Sequence, residues 1–195
     1  MDQILSAALH MQAQAHKILE KLTIAKIWAA HGAKINIVGS LATGLLINNK
    51  DIDLHVYSDE FTLKESFAAM ADIARNKGIN DIVFKNLLYT DKKCVQWHLW
   101  YTHDDTSVWE ISMVHINKAS PYAGYFEKIT RQIAEVLTPE TKLAILNIKN
   151  DTPPYVKIMA VEIYEAVLKY GIRNYKDFVE WREDHPPKGM PGWQD

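Results

Sequence analysis

The chain has 195 residues, a hydrophobic fraction of 48% and a formal net charge of −2. That length supports one sizeable domain, or a domain with a helical annex. The near-neutral charge argues against a general polyanion binder, which carries a strong basic excess, and so disfavours a nucleic-acid acceptor. Cys94 is the single cysteine, so no intrachain disulfide forms, which fits a reducing compartment. Residues 1–20 include Asp2, Gln3, His10, Gln12, His16 and Lys17 and lack the apolar core of a signal peptide. No window approaches the roughly eighteen uninterrupted apolar residues of a membrane span. The expectation is a cytoplasmic protein with no membrane partner.

Asp2 to Ala30 has helical periodicity, with Ile4, Ala8, Met11, Ala15, Ile18 and Leu22 recurring at threes and fours. His31-Gly32 ends it. Lys34 to Val38 reads as a strand rich in β-branched residues. Ser40 to Ile47 reads as a short helix with Ser40 at its N-cap. Asn48-Asn49-Lys50 is a turn, and Asp51 to Tyr57 a second strand. Thr62 to Lys77 is an amphipathic helix closed by Gly78. Ile82 to Thr90, Cys94 to Thr102 and Val108 to Ile116 read as strands, the last two joined by a hairpin turn. This order predicts an α/β domain with a mixed sheet.

The texture changes at Ser120-Pro121. Pro121 to Leu137, Pro139 to Lys149 and Pro153 to Tyr170 all read as helices with Ser or Thr just before the proline. Asn174 to Glu183 reads as a further short helix. Residues 185–195 carry Pro186, Pro187, Gly189, Pro191 and Gly192 and read as an irregular tail. The chain therefore divides into an α/β part over residues 1–118 and a helical region with a Pro/Gly-rich tail over residues 119–195.

The chemistry concentrates in Ile37-Val38-Gly39-Ser40-Leu41-Ala42-Thr43-Gly44 and Asp51-Ile52-Asp53-Leu54. Side chains alternate along a strand, so Asp51 and Asp53 project from one face. Two carboxylates that close repel unless a cation neutralises them, and Mg²⁺ prefers such hard oxygen ligands. Gly39 lets a phosphate approach the backbone, and the Ser40 hydroxyl can donate to a phosphate oxygen.

This layout resembles the nucleotidyltransferase superfamily that includes DNA polymerase β, the antibiotic nucleotidyltransferases and the minimal nucleotidyltransferases. Its signature is an apolar strand, Gly-Ser or Gly-Gly, a short helix, then Asp-h-Asp-h or Asp-h-Glu-h, where h is apolar. The resemblance implies a nucleotidyltransferase-like mixed sheet with flanking helices (an α+β fold), followed by a C-terminal helical region that walls the acceptor pocket. It implies two Mg²⁺ ions, an NTP held at Gly39 and Ser40, and metal ligation by Asp51 and Asp53. It also implies a third carboxylate on a later strand. Glu110 is the best candidate, an acid inside the apolar run Val108 to Val114. Glu110 and Lys50 depart from the commonest pattern, where Asp and Ser stand; Lys50 is a candidate phosphate contact.

Other residues read more plainly. His55 continues the face of Asp51 and Asp53 but reads as a satisfied core or edge histidine. His98, His103 and His115 lack partners at ligand spacing and read as structural. Lys142, Lys149, Lys157 and Arg131 are not distinguishable from solvated helix faces. The resulting expectation is transfer of a nucleoside monophosphate from NTP to a hydroxyl of an unidentified acceptor, such as an antibiotic-like small molecule. The alternatives are a protein acceptor, as in toxin–antitoxin nucleotidyltransferases, and a non-catalytic nucleotide- or partner-binding module.

Overall fold

The computed structural model describes residues 2–104 and 106–186. Strand alternation sorts its sheet into an apolar face and a polar face, and this sorting decides what packs on each. The strands are β1 (Ala33–Val38), β2 (Asp51–Ser58), β3 (Ile79–Leu87), β4 (Cys94–Thr102) and β5 (Val108–Asn117), in the order β1-β2-β5-β4-β3. β2 and β5 are parallel and the other pairs antiparallel, so the sheet is mixed as expected.

On the apolar face, registered neighbours form the rows Ile52–Ile111–Leu99 and Leu54–Met113–Trp97. Helices α1 (Asp2–Lys21), α2 (Ile24–Ala30) and α4 (Leu63–Ile73) cover this face with Ile18, Leu22, Ile24, Trp28 and Ile73, all fully buried. Each aliphatic side chain so buried contributes about 1.5–3 kcal/mol. The expected single helix over residues 2–30 is broken at Thr23, which is left-handed at φ 51°. The break turns both Leu22 and Ile24 into the same core, and that packing outweighs helix continuation.

The C-terminal helices are α5 (Tyr125–Val136), α6 (Pro139–Asp151), α7 (Ala160–Tyr170) and α8 (Tyr175–Asp184). Their core joins Ile145, Ile148, Ala166, Val167 and Phe178 to Ala8 of α1 and to Leu45 and Ile47. The helical region is thereby fastened to the chain on either side of the Gly-Ser turn. Thr138 caps α6 by accepting from Thr141 N, as the Thr-Pro pattern predicts. Thr152-Pro153 behaves differently. Thr152 ends α6, its hydroxyl donating to the Ile148 carbonyl at 2.7 Å, and α7 starts only at Ala160. The predicted helix over 153–170 is therefore preceded by a strap, residues 153–159. Likewise the predicted helix from Pro121 begins at Tyr125, after a turn in which Gly124 has φ 77°. Residues 187–195 of the Pro/Gly-rich tail lie outside the described residues. Among the described residues no helix is long and apolar enough to cross a membrane.

His115 is the one histidine on the apolar face, 1% exposed. Its ring nitrogens meet Ser58 Oγ at 2.7 Å and Ser66 Oγ at 3.0 Å, and the Trp97 indole donates to the same Ser66 oxygen. Burial pushes its pKa down from 6.5 to about 4. The unfolded chain thus takes up a proton that the folded chain refuses. Stability from this histidine is full above pH 6.5 and is lost as pH falls toward about 4. Thermal melts across that window should therefore fall less steeply for His115→Gln than for the wild type. Equal slopes would remove His115 as the origin.

Candidate active site

The polar face of the sheet carries the candidate residues in rows. Asp51 lies beside Glu110 and Trp100, Asp53 beside Ser112 and His98, and His55 beside Val114 and Gln96. Parallel pairing of β2 with β5 is what brings Glu110 to Asp51, since registered residues share a face. A cleft of about 820 Å³ opens over these rows. Its other walls are the Gly-Ser turn, α5, the end of α6 and the 153–159 strap.

Asp53 is half-buried, and its pKa is pushed up to about 7, first by burial and then by the charges of Asp51 and Glu110. Asp51 is raised chiefly by burial, with Glu110 adding to it. Lys149 pulls both in the opposite direction. Asp51 Oδ1 is buried with no hydrogen-bond partner. An orphaned carboxylate oxygen beside a second carboxylate matches the donor chemistry of a hard divalent cation. Among the described residues no three His, Cys, Asp or Glu groups stand together as a ready ligand set. Glu110 is engaged elsewhere: its Oε1 lies 2.8 Å from His98 Nδ1 and accepts from Ser112 Oγ at 3.3 Å.

Gly39 is required at its position. It has φ 64°, and a Cβ there would collide with Asp53 Oδ2. The following helix, α3 (Gly39–Thr43), is capped by Val38 without a side-chain bond. Ser40 is therefore inside the first turn and not at the N-cap predicted from the sequence. Its hydroxyl accepts from Lys149 Nζ at 2.8 Å and lies 3.3 Å from the Tyr164 hydroxyl. Lys149 Nζ also donates to the Leu45 carbonyl at 2.8 Å.

The structure thus gathers Gly39, Ser40, Asp51 and Asp53 in one cleft, whereas Glu110, registered beside Asp51 and 38% exposed, is not among the residues that line it. Lys50 is exposed and does not line the cleft; its carbonyl accepts from Glu110 N at 2.8 Å. Among the described residues Lys149 is the only lysine or arginine lining the cleft. Sequence spacing leaves it undistinguished, because its partner Ser40 stands 109 positions earlier. His55 is buried against Tyr57 and Phe126 and lines the cleft as well.

Residues 19–112 match the family of the nucleotidyltransferase domain, and every candidate residue on β1, β2 and β5 lies within them. Over these residues the chain is similar to the nucleotidyltransferase domain. No curated protein matches the chain. Among solved structures, the RNA terminal uridylyl transferase Cid1 is 15% identical, with a TM-score of 0.58 over 82% of this chain and 47% of its own. The Cid1 poly(U) polymerase with Mg and 3′-dATP bound is 17% identical, with a TM-score of 0.58 over 82% and 49%. The non-canonical poly(A) polymerase complex GLD-2–GLD-3 is 10% identical, with a TM-score of 0.56 over 98% and 62%. These likenesses establish a shared fold. The chain spans about half the length of the Cid1 structures it matches.

The raised pKa of Asp53 has a consequence for the metal-free protein. Below pH 3.8 the folded and unfolded chains both hold this proton; as pH rises through about 7 the folded chain alone must be forced to release it. Stability is therefore lost over that interval. In chelator, Asp53→Asn should melt at least about 3 °C above wild type near pH 8 and together with it near pH 4. A melt below wild type at the higher pH would show that Asp53 is not held under charge strain.

Proposed function

We propose that the protein is a metal-dependent nucleotidyltransferase that moves a nucleoside monophosphate from NTP to a hydroxyl of a small acceptor. The observation that carries this is the half-buried pair Asp51 and Asp53, which lines one cleft together with the Gly39-Ser40 turn and Lys149. Asp51 and Asp53, with Glu110, would hold Mg²⁺, two ions being the usual complement for such a set. When bound, the metal neutralises the carboxylates and the charge that develops on the transferring phosphate.

The chain's own groups divide the remaining work. The Gly39 backbone and the Ser40 hydroxyl receive the outer phosphates, and Lys149 turns its ammonium from Ser40 to a phosphate oxygen. Lys50 would supply at most a contact from outside the cleft. The acceptor oxygen forms its bond to the α-phosphorus as the bond to the bridging oxygen breaks, and pyrophosphate departs. Glu110 takes the proton of the acceptor hydroxyl. In this reading residues 1–118 carry the catalytic carboxylates, and residues 119–195 supply Lys149 and the acceptor wall.

A small acceptor is favoured by the cleft itself. Its volume is within the range of small-molecule pockets. Phe126, Ile129 and Thr130 of α5 line it together with His55 and Val114. Among the described residues its lining holds one lysine or arginine, Lys149, which sits beside Ser40 at the phosphate end and gives the acceptor side no basic lining. An RNA end is the second reading, because the proteins that share the fold include an RNA terminal uridylyl transferase and a poly(A) polymerase. A cytoplasmic setting, with NTP and Mg²⁺ at hand, suits either acceptor and the unpaired Cys94.

NTP labelled at the α-phosphate and NTP labelled at the γ-phosphate, offered with a panel of hydroxylated small molecules, RNA oligomers and proteins, decide between these. Transfer of α-label to a small molecule is expected, with γ-label leaving as pyrophosphate. Transfer of the β,γ unit would identify a pyrophosphate transferase, and Mg²⁺-dependent binding without any transfer a nucleotide-binding module. Asp51→Asn and Asp53→Asn should each abolish transfer while leaving the fold intact. Glu110→Gln should slow it about 100-fold. Lys149→Met should raise KM for NTP about tenfold with a smaller effect on kcat, the scale of one charge-assisted hydrogen bond.

A further inference from the structure

His98 stands outside the assignments made so far, yet its ring touches the proposed third carboxylate. It lies on β4, registered with Ser112 on β5, while Glu110 lies two residues before Ser112 on the same face. His98 Nδ1 is 2.8 Å from Glu110 Oε1 and 3.0 Å from Ser112 Oγ, and the Ser112 hydroxyl donates to Glu110 Oε1 at 3.3 Å. The three groups close a ring in which a single carboxylate oxygen receives two hydrogen bonds. Trp100 stacks beside the imidazole, 6.4 Å between centroids and 23° between planes, and limits its rotation.

From this geometry we infer that His98, bridged by Ser112, is a positioning residue for Glu110. The inference rests on the proposed metal site and deepens it. Glutamate has one more methylene than aspartate and one more torsion to fix. Left alone on an open sheet face, with a side chain 38% exposed, it would sample several rotamers. The clamp on Oε1 removes that freedom and leans the carboxyl over the Asp53–Ser112–His98 row. Oε2 is left for metal or for the acceptor proton. The residue therefore acts through Glu110 and touches no reacting atom. The ring also explains why a strand reading that stops at Glu110 sees an acid inside an apolar run: its polar partner comes from the neighbouring strand.

The test is Mn²⁺ binding, followed by electron paramagnetic resonance with the non-hydrolysable analogue α,β-methylene-ATP present. Asp53→Asn serves as the control for the underlying site. Wild type should bind Mn²⁺ and Asp53→Asn should lose it. His98→Gln, whose amide reaches only the Nε2 position, should weaken Mn²⁺ affinity about tenfold, the scale for outer partners of a metal-binding carboxylate. His98→Asn, whose amide nitrogen overlays Nδ1, should stay within about threefold of wild type. Glu110→Gln combined with His98→Gln should bind no more weakly than Glu110→Gln alone, since both changes act on one carboxylate.

Wild-type affinity in His98→Gln, with Asp53→Asn still defective, overturns the clamp and leaves the metal reading standing. Equal loss in His98→Asn and His98→Gln, or additive loss in the double variant, also overturns it. No Mn²⁺ binding by the wild type overturns the metal reading and the clamp together.

Discussion

Two carboxylates of like charge, Asp51 and Asp53, stand half-buried on one face of one strand, and much of the surrounding structure answers to their repulsion. Burial alone raises both, and each is further raised by a neighbouring acid. Asp51 Oδ1 meets no donor. The fold keeps this arrangement because its neighbours leave no other place for it. Gly39 has no side chain where Asp53 Oδ2 sits, and its left-handed backbone turns the chain away at once. Lys149 reaches in from α6 and supplies the only nearby positive charge among the groups that shift the pair. A dication entering such a site would release strain already present, so part of its binding free energy is prepared in the apo fold.

That strain is supportable because the opposite face of the sheet is a well-packed core. Ile52 and Leu54, the residues flanking Asp53, are 0% and 1% exposed. The same alternation that aims the acids into the cleft therefore drives apolar side chains between α1, α2 and α4. Shifting β2 by one residue would expose that core and bury the acids in it, so the register of the site and the stability of the fold are one constraint. The helical region is tied to the same frame. Its core includes Ala8, Leu45 and Ile47, which fixes α6, and hence Lys149, relative to Ser40.

What the sequence discloses follows how local each interaction is. Asp51 and Asp53 share a face because of a two-residue period that any strand obeys. Gly39 is legible because its neighbours on both sides are elements of regular structure. Glu110 is legible only as an anomaly, an acid among apolar residues, and its closeness to Asp51 depends on a parallel pairing that no short window contains. His98 reads as structural for the same reason: its partners lie 12 and 14 positions away, on another strand. Lys149 is more remote still, and its helix face resembles any solvated one. Element boundaries fail where tertiary packing takes over. Thr23 breaks a periodic helix so that Leu22 and Ile24 can both be buried, and Pro153-Pro154 extends the chain into a strap along the cleft.

The cleft is also asymmetric, and the asymmetry follows from strand order. β1 and the Gly-Ser turn lie on one side of β2, and β5 then β4 on the other. Lys149 and Ser40 stand on the first side, so the groups suited to phosphate are separated from Ser112, His98 and Gln96 by the carboxylates themselves. In the proposed reaction an attacking hydroxyl and a departing pyrophosphate need opposite sides of one phosphorus. A sheet that holds Asp51 and Asp53 on the strand between those two sides suits that alignment. That second side carries polar groups on its floor and an aromatic wall at Phe126. Recognition there would rest on shape and hydroxyl contacts, whereas charge would be confined to the end where the nucleotide's phosphates are held.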